Sequence, residues 1–215
     1  MITANGFPVL ALALSMPERG NWVADLSVDA EELEPDVTID DGEGNVFRGR
    51  ALRSGAVVGR VAARVYGGRG GLAPGSALGA RHFRGVSLRS VLDDIMGQTG
   101  EAVDAASPSA LLAQRLAYWS FPAASPGAAL STLTDAVGAT WRVLDAGTIW
   151  IGVDAFPVAT ELQAEELAAD HALGLVELAV DGFALRPGVT LSGRRVSRVE
   201  HRITGAGRRT TYWHG

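Results

Sequence analysis

Apolar and polar positions alternate through the first third of the chain. Phe7-Pro8-Val9-Leu10-Ala11-Leu12-Ala13-Leu14-Ser15 and Trp22-Val23-Ala24-Asp25-Leu26-Ser27-Val28 are period-two runs parted by Pro17-Glu18-Arg19-Gly20-Asn21, which predicts a β-hairpin. Val37-Thr38-Ile39, the turn Asp40-Asp41-Gly42-Glu43-Gly44-Asn45 and Val46 to Leu52 repeat that form, with glycines supplying the positive φ of tight turns. A further strand is predicted from Ala56 to Tyr66, with Val57, Gly59, Val61, Ala63 and Val65 on one face. Five short strands in succession predict a small barrel over residues 1–75.

The period then lengthens. Ser87 is placed to cap a helix carrying Leu88, Val91, Leu92 and Ile95 at spacings of three and four, with Asp93 and Asp94 outward and Gly97 or Gly100 as the stop. After a mixed stretch, Pro126-Gly127 opens a second helix bearing Ala129, Leu130, Leu133 and Val137, ended by Gly138. Thr140-Trp141-Arg142-Val143-Leu144, the turn Asp145-Ala146-Gly147 and Thr148 to Val153 predict a hairpin with a tryptophan on each arm. Residues 76–155 therefore read as an α/β lobe. From 156 to 215 the chain returns to β, with strands expected at Leu173–Val180, Arg186–Leu191, Val196–Ile203 and Arg208–Trp213. The fold class is α+β, mainly β.

Charge divides both β-units in the same order. Nine acidic residues and no basic one lie between Asp25 and Glu43; nine arginines and no acid lie between Arg48 and Arg89. Glu161, Glu165, Glu166, Asp170, Glu177 and Asp181 likewise precede seven arginines from Arg186, among which Glu200 is the only acid. Neighbouring strands that pair across a sheet explain this order. So does an acidic face meeting a basic face on another subunit, and the two coexist without conflict. The shared order suggests an internal duplication, although no sequence identity between the units is visible.

Composition narrows the classes. At 47% hydrophobic and 20% charged, the chain of 215 residues has enough apolar surface for a packed core, which excludes disorder. The longest apolar stretch, Phe7 to Met16, has ten residues where a membrane span needs about 20, so no span is expected. The first basic residue is Arg19, beyond that stretch, so no secretory signal is expected and the protein is expected to start at Met1. Without cysteine there is no disulfide, thiolate nucleophile or cysteine-held zinc. All 19 basic residues are arginine, and a net charge of −5 argues against a general nucleic-acid binder; no sequence-specific nucleic-acid binding is expected.

Candidate chemistry is thin. Gly67-Gly68-Arg69-Gly70-Gly71 follows a strand but lacks the Gly-Lys-Ser/Thr and helix start that hold phosphate, and reads as an inter-domain bend. His82, His171, His201 and His214 are isolated, so no metal or cofactor is expected. The acidic neighbours Asp40-Asp41, Asp93-Asp94 and Glu165-Glu166 diverge from each other on any regular element and read as solvated turns and faces. No Gly-x-Ser-x-Gly elbow occurs, and no catalytic residue is nominated. Trp119, Trp141, Trp150, Tyr212 and Trp213 read as core or subunit-contact residues, with sugar or base stacking as the alternative.

Taken in order, several segments resemble the tail and baseplate hub proteins of contractile and long-tailed phages. They are Ala62 to Leu72, Ser87 to Ile95 closing with Thr99-Gly100-Glu101, Ala128 to Leu130, Gly138 to Trp150, Arg186 to Gly193 and Val199 to Arg202. The resemblance implies two small tail-tube-like β-barrel domains flanking the α/β lobe; the sequence shows no room for a lysozyme or peptidase insertion. It implies a non-enzymatic structural virion protein at the tail tip, assembled in the host cytoplasm. That protein is a homotrimer adapting a sixfold tail tube to a threefold tip and leaving a channel for DNA. Its partners are a tail-tube or distal tail protein above and a tip, fibre or spike protein below. Arg64, Tyr66, Arg195 and Arg198 are the expected subunit-contact residues, from their place on arginine-rich strands. Alternatives are a hexameric distal tail or tube-end protein, a cell-wall or glycan-binding module using the tryptophans, and a hydrolase whose site forms only on folding.

Overall fold

The alternation of Leu12, Leu14 and Met16 against Ala24, Leu26 and Val28 does fold into a hairpin, because only one face of each strand can be buried. The computed structural model describes residues 1–56, 58–159, 165–179, 182–205 and 207–215. Strands β2 (Phe7–Pro17) and β3 (Val23–Val28) pair antiparallel with Leu12 opposite Leu26 and Leu14 opposite Ala24. They join β1 (Thr3–Ala4), β4 (Asp36–Asp40), β5 (Val46–Ala56) and β6 (Val61–Gly67) in the order β1-β4-β5-β6-β3-β2, and β1 pairs β2 to close the ring.

The ring has six strands where five were expected. The addition, β1, is two residues long, too short to show a period; Asn5 (φ 50°) and Gly6 (φ 84°) turn it into β2. Asn5 also ties β1 to β4, donating to the Asp36 carbonyl at 2.9 Å and accepting from the Thr38 amide at 2.8 Å. The strand expected from Ala56 to Tyr66 is divided: Ala56 ends β5 and β6 starts at Val61, with Val58 (φ 42°) and Gly59 (φ 72°) in the turn. Val57 lies outside the described residues. Opposite charges meet on neighbouring strands, Asp25 with Arg64 at 2.6 Å and Asp36 with Arg50 at 3.0 Å.

The lobe begins with β7 (Arg81–Ser87), which runs into α1 (Leu88–Thr99). Ser87 caps α1 by accepting from the Ser90 amide at 3.1 Å, and Gly100 (φ 73°) ends it in the left-handed conformation. Leu88, Val91, Leu92 and Ile95 are all buried. A short α2 (Ser109–Leu112) leads to β8 (Arg115–Phe121), antiparallel to β7, so the mixed stretch contains a strand. The helix α3 (Pro126–Ala136) and the hairpin of β9 (Thr140–Val143) and β10 (Ile149–Gly152) follow.

The last unit holds β11 (Glu165–Asp170), β12 (Leu175–Ala179), β13 (Thr190–Leu191), β14 (Arg194–Thr204) and β15 (Gly207–His214). β14 pairs antiparallel with β2 from Arg198–Pro17 to Ile203–Leu12, so the barrel sheet continues through β14, β15 and β12 to β11, which is open among the described residues. Of the strand expected at Arg186–Leu191, only β13 forms. Pro187 has no amide to donate and Gly188 sits at φ 84°, so residues 182–189 cross the sheet as a strap. Val180, Glu161 and Asp181 lie outside the described residues.

One core serves both units: Val65, Ala24, Leu14, His201 and Thr210 are successive partners across β6, β3, β2, β14 and β15, and all are buried. Replacing Leu14 by Ala is expected to cost about 2–5 kcal/mol and to lower the urea midpoint of barrel and second unit together. Gly97→Ala, where a Cβ meets nothing within 4 Å, is expected to raise the same midpoint by up to about 1 kcal/mol of helix propensity.

Candidate assembly interface and its buried junction

Three segments distant in sequence meet where the strap crosses the barrel. The β4–β5 turn presents Asp41, which is fully buried and not solvated as expected for the Asp40-Asp41 pair. Its carboxylate accepts from the amides of Glu43 (2.8 Å), Asn45 (3.0 Å) and Phe183 (3.3 Å) and from the Asn45 side chain. Burial pushes this carboxyl up, and those hydrogen bonds outweigh it and hold it below its ordinary range. A rising charge-assisted network of this kind fixes both the turn and the strap.

An aromatic column runs beside it. Trp22 meets Phe47 edge-on at 5.5 Å, Phe47 meets Phe183 at 5.5 Å, and Phe183 meets His201 at 5.2 Å. His201, 1% exposed, bonds Thr210 Oγ1 through Nδ1 at 2.7 Å and the Leu185 carbonyl through Nε2 at 3.1 Å. Burial, helped by the nearby Arg186 charge, lowers its pKa to about 4. Arg186 lies 4.8 Å over Phe47 and bonds Asp145 of the β9–β10 turn at 2.8 Å and Asn45 at 3.0 Å. Barrel, strap and lobe are thus held at one point.

The lobe has two further anchors. Arg19 reaches the C-terminal turn of α3, donating to the Ser131 carbonyl at 2.6 Å and pairing with Asp135 at 2.7 Å, where a cation complements the helix dipole. The glycine bend contributes the second. Glu101, 6% exposed, accepts from the Arg69 amide at 3.0 Å and the Gly71 amide at 2.9 Å. A Cβ on Gly71 would stand 2.0 Å from the Thr99 carbonyl and one on Gly68 2.5 Å from the Glu101 carboxylate. The bend is therefore an anion cradle filled by the chain's own carboxylate, whose burial raises its pKa against the pull of those amides.

The four expected contact residues do not form one cluster. Arg64 holds Asp25 with both Nε and Nη2 at 2.6 Å on the solvent face, which favours its charged form. Tyr66, half-buried, stands between Val23 and Arg50 in the register. Arg198 lies on the same solvent face beyond β3 and β2, 4.6 Å over Trp213 and bonded to Ser15 and Glu200. Arg195 sits apart at the β13 end, exposed, 4.0 Å over Phe156. Glu200 is shared by Arg198 and Arg202, and Arg209 pairs with Glu177 at 2.6 Å, so most arginines of this face are held by acids.

The remaining candidates stay separate. His82 is exposed beside Tyr118, His171 is exposed, and no contact joins His82 to His201 among the described residues. No group of three metal-ligating side chains occurs among them either. Asp93 bonds Arg89 and Asp94 bonds Gln98, both on the outer face of α1, while Glu165 and Glu166 are exposed on β11. Trp141 and Tyr212 are core, and Trp150 lies 4.3 Å beneath Arg142, which also makes a bidentate pair with the buried Asp154. A largely apolar cleft of about 440 Å³ lies between Met16, Trp22, Val143, Leu144 and Arg186, at the seam of the three units. The sequence pattern reads Asp41 as a solvated turn residue and Arg186–Leu191 as a strand, and does not show the roles they take here; Thr99-Gly100-Glu101 and the glycine bend are the visible signal for Glu101.

No protein-family model matches the chain, and no curated protein matches it by sequence. Solved structures do. The 43 kDa tail protein of prophage MuSo2 from Shewanella oneidensis is similar over 100% of this chain and 97% of that one, with a TM-score of 0.68 at 11% identity. The tail protein from Neisseria meningitidis MC58 is similar over 99% of this chain and 95% of that one, with a TM-score of 0.63 at 10% identity. The class this defines is a fold, mainly β with a closed barrel, shared along the whole chain with these two tail proteins.

Two measurements test the junction. The unfolded chain binds the proton that buried His201 refuses, so stability is expected to fall as pH drops from about 6.5 to about 4, by about 3 kcal/mol in all, and to be unaffected by this group above pH 6.5. The difference between the urea midpoints of the wild type and His201→Gln should grow smaller across that window; a constant difference would contradict the burial. Glu101→Gln, which turns an amide donor toward amide donors, is expected to cost about 1–3 kcal/mol, and Gly71→Ala more than that, both read by thermal melting.

Proposed function

We propose that this chain is a structural phage tail protein without catalytic activity, and specifically the trimeric hub at the tail tip. The observation that carries this reading is the shared sheet: a closed six-strand ring prolonged across the β2–β14 pairing into a second antiparallel unit, with the lobe inserted between them in sequence. Full-length likeness in fold to two phage tail proteins supports it. A sixfold tube can end on a threefold tip if each subunit presents two tube-like β-units, and closed symmetry then needs three copies. In this reading the second unit plays the part of the second barrel.

The role is mechanical. The subunit stays folded, grips a tail-tube or distal tail protein above and a tip, fibre or spike protein below, and leaves a passage for DNA. Arg202 and Arg209, already held by Glu200 and Glu177, retain less charge for phosphate, which suits a wall that DNA must slide past. Arg64, Tyr66, Arg195 and Arg198 are the proposed subunit-contact residues. Among the described residues no helix is long and apolar enough to cross a membrane, and assembly in the host cytoplasm is part of this proposal.

Native mass spectrometry of the purified chain is expected to give three copies, alone or on adding the tube protein. Six copies would move the assignment to a distal tail or tube-end ring. Glycan binding by a chain that forms no ring would favour the cell-wall module instead.

A further inference from the structure

The subunit's main sheet has two unfinished ends. The Cα partners Ala51–Val65–Ala24–Leu14–His201–Thr210–Leu178–Glu166 form one transverse row over eight strands, from β5 through β6, β3, β2, β14, β15 and β12 to β11. At one end β4 covers β5 only from Val46 to Arg50, and the Ala51 amide still bonds the Pro35 carbonyl. Beyond it, Leu52 falls in a bulge between Ala51 and Arg53, and Arg53 to Ala56 pair with β6 alone among the described residues. At the other end β11 pairs with β12 alone. Residues 52–56 and 165–170 are all exposed.

Direction and charge make these two ends complementary. Every neighbouring pair in the row is antiparallel, and with eight strands β5 and β11 run in opposite senses. Setting β11 of one copy beside β5 of the next therefore continues the antiparallel alternation without a break. β11 carries Glu165, Glu166 and Asp170 and no basic residue, whereas the open part of β5 carries Arg53 and its turn carries Arg60, with no acid. Pairing like with like would set acid against acid or arginine against arginine, which is unfavourable across strands.

We propose that copies of this chain join head to tail by pairing the β11 edge of one with residues Leu52 to Ala56 of the next, so that their sheets merge into a closed wall. Heterologous contacts of this kind close into rings. The inference rests on the assembly reading above and names its surface. Edge charges and the bulge between Glu166 and Ala168 are also devices that keep a strand from indiscriminate pairing. Here they admit one oppositely charged partner and repel another β11.

The neighbouring row runs Arg53–Arg64–Asp25–Ala13–Arg202–Arg209, and Ala179 with its partner Glu165 stands one position beyond the Leu178–Thr210 pair. In the proposed register Arg53 of one copy stands opposite Glu165 of the next, about 5 Å apart at Cβ, from where a small approach of the two strands closes a disulfide. The chain has no cysteine, so Arg53→Cys with Glu165→Cys in one chain is a clean test. Oxidation at the highest soluble concentration, read on a non-reducing gel, is expected to convert most of the double variant to a covalent ring while either single variant stays uncrosslinked. Melting of the reduced double variant at the wild-type temperature checks its fold, and Arg53→Glu with Glu165→Arg should assemble where either reversal alone does not. A wild type that stays monomeric, covalent dimers from Glu165→Cys alone, or an assembled double variant that fails to crosslink overturns the proposal. Crosslinked rings of a number other than three keep the edge pairing and remove the threefold hub; uncrosslinked trimers do the reverse.

Discussion

The buried carboxylate of Asp41 is the contact on which the arrangement of the units depends. It caps its own turn and the strap that returns from the second unit, and its four hydrogen bonds come from both. Phe183, placed by that bond, stacks between Phe47 of the barrel and His201 of β14. Arg186, the residue after Leu185, whose carbonyl bonds His201, carries the same hold to the lobe through Asp145. A buried carboxylate is tolerable only with such complete pairing, so this corner is ordered as a unit or not at all.

The lobe depends on the barrel by similar means. Glu101 fills the glycine bend, Arg19 holds the end of α3, and the Trp22 indole donates to the Leu144 carbonyl at 3.2 Å. Each of these joins a backbone end or turn to a side chain from another unit, which restrains orientation more than apolar contact alone does.

Solvent-facing charge on the sheet follows a different rule. Asp25, Glu177 and Glu200 each occupy an arginine on the adjoining position, so the middle of the face is neutralised within the chain. The two ends carry charge of one sign each, acid on β11 and arginine at Arg53 and Arg60. Internal strand pairing thus accounts for part of the acidic and basic blocks.

The sequence by itself determined the elements with a strong period or a cap: the β2–β3 and β4–β5 hairpins, α1 between Ser87 and Gly100, α3 from Pro126 and the β9–β10 hairpin. Their hydrogen bonds and side-chain faces are set by residues close in the chain, so local alternation and turn chemistry suffice. The two-residue β1, the acidic alanine-rich β11 and the strap carry no such period, and only pairing with distant strands gives them form. The same holds for Asp41, His201 and Glu101, whose neighbours in sequence mark them as ordinary turn or strand residues. Their burial and partners exist only once β14 lies along β2 and the bend folds over α1, because a desolvated charge is defined by what surrounds it in space.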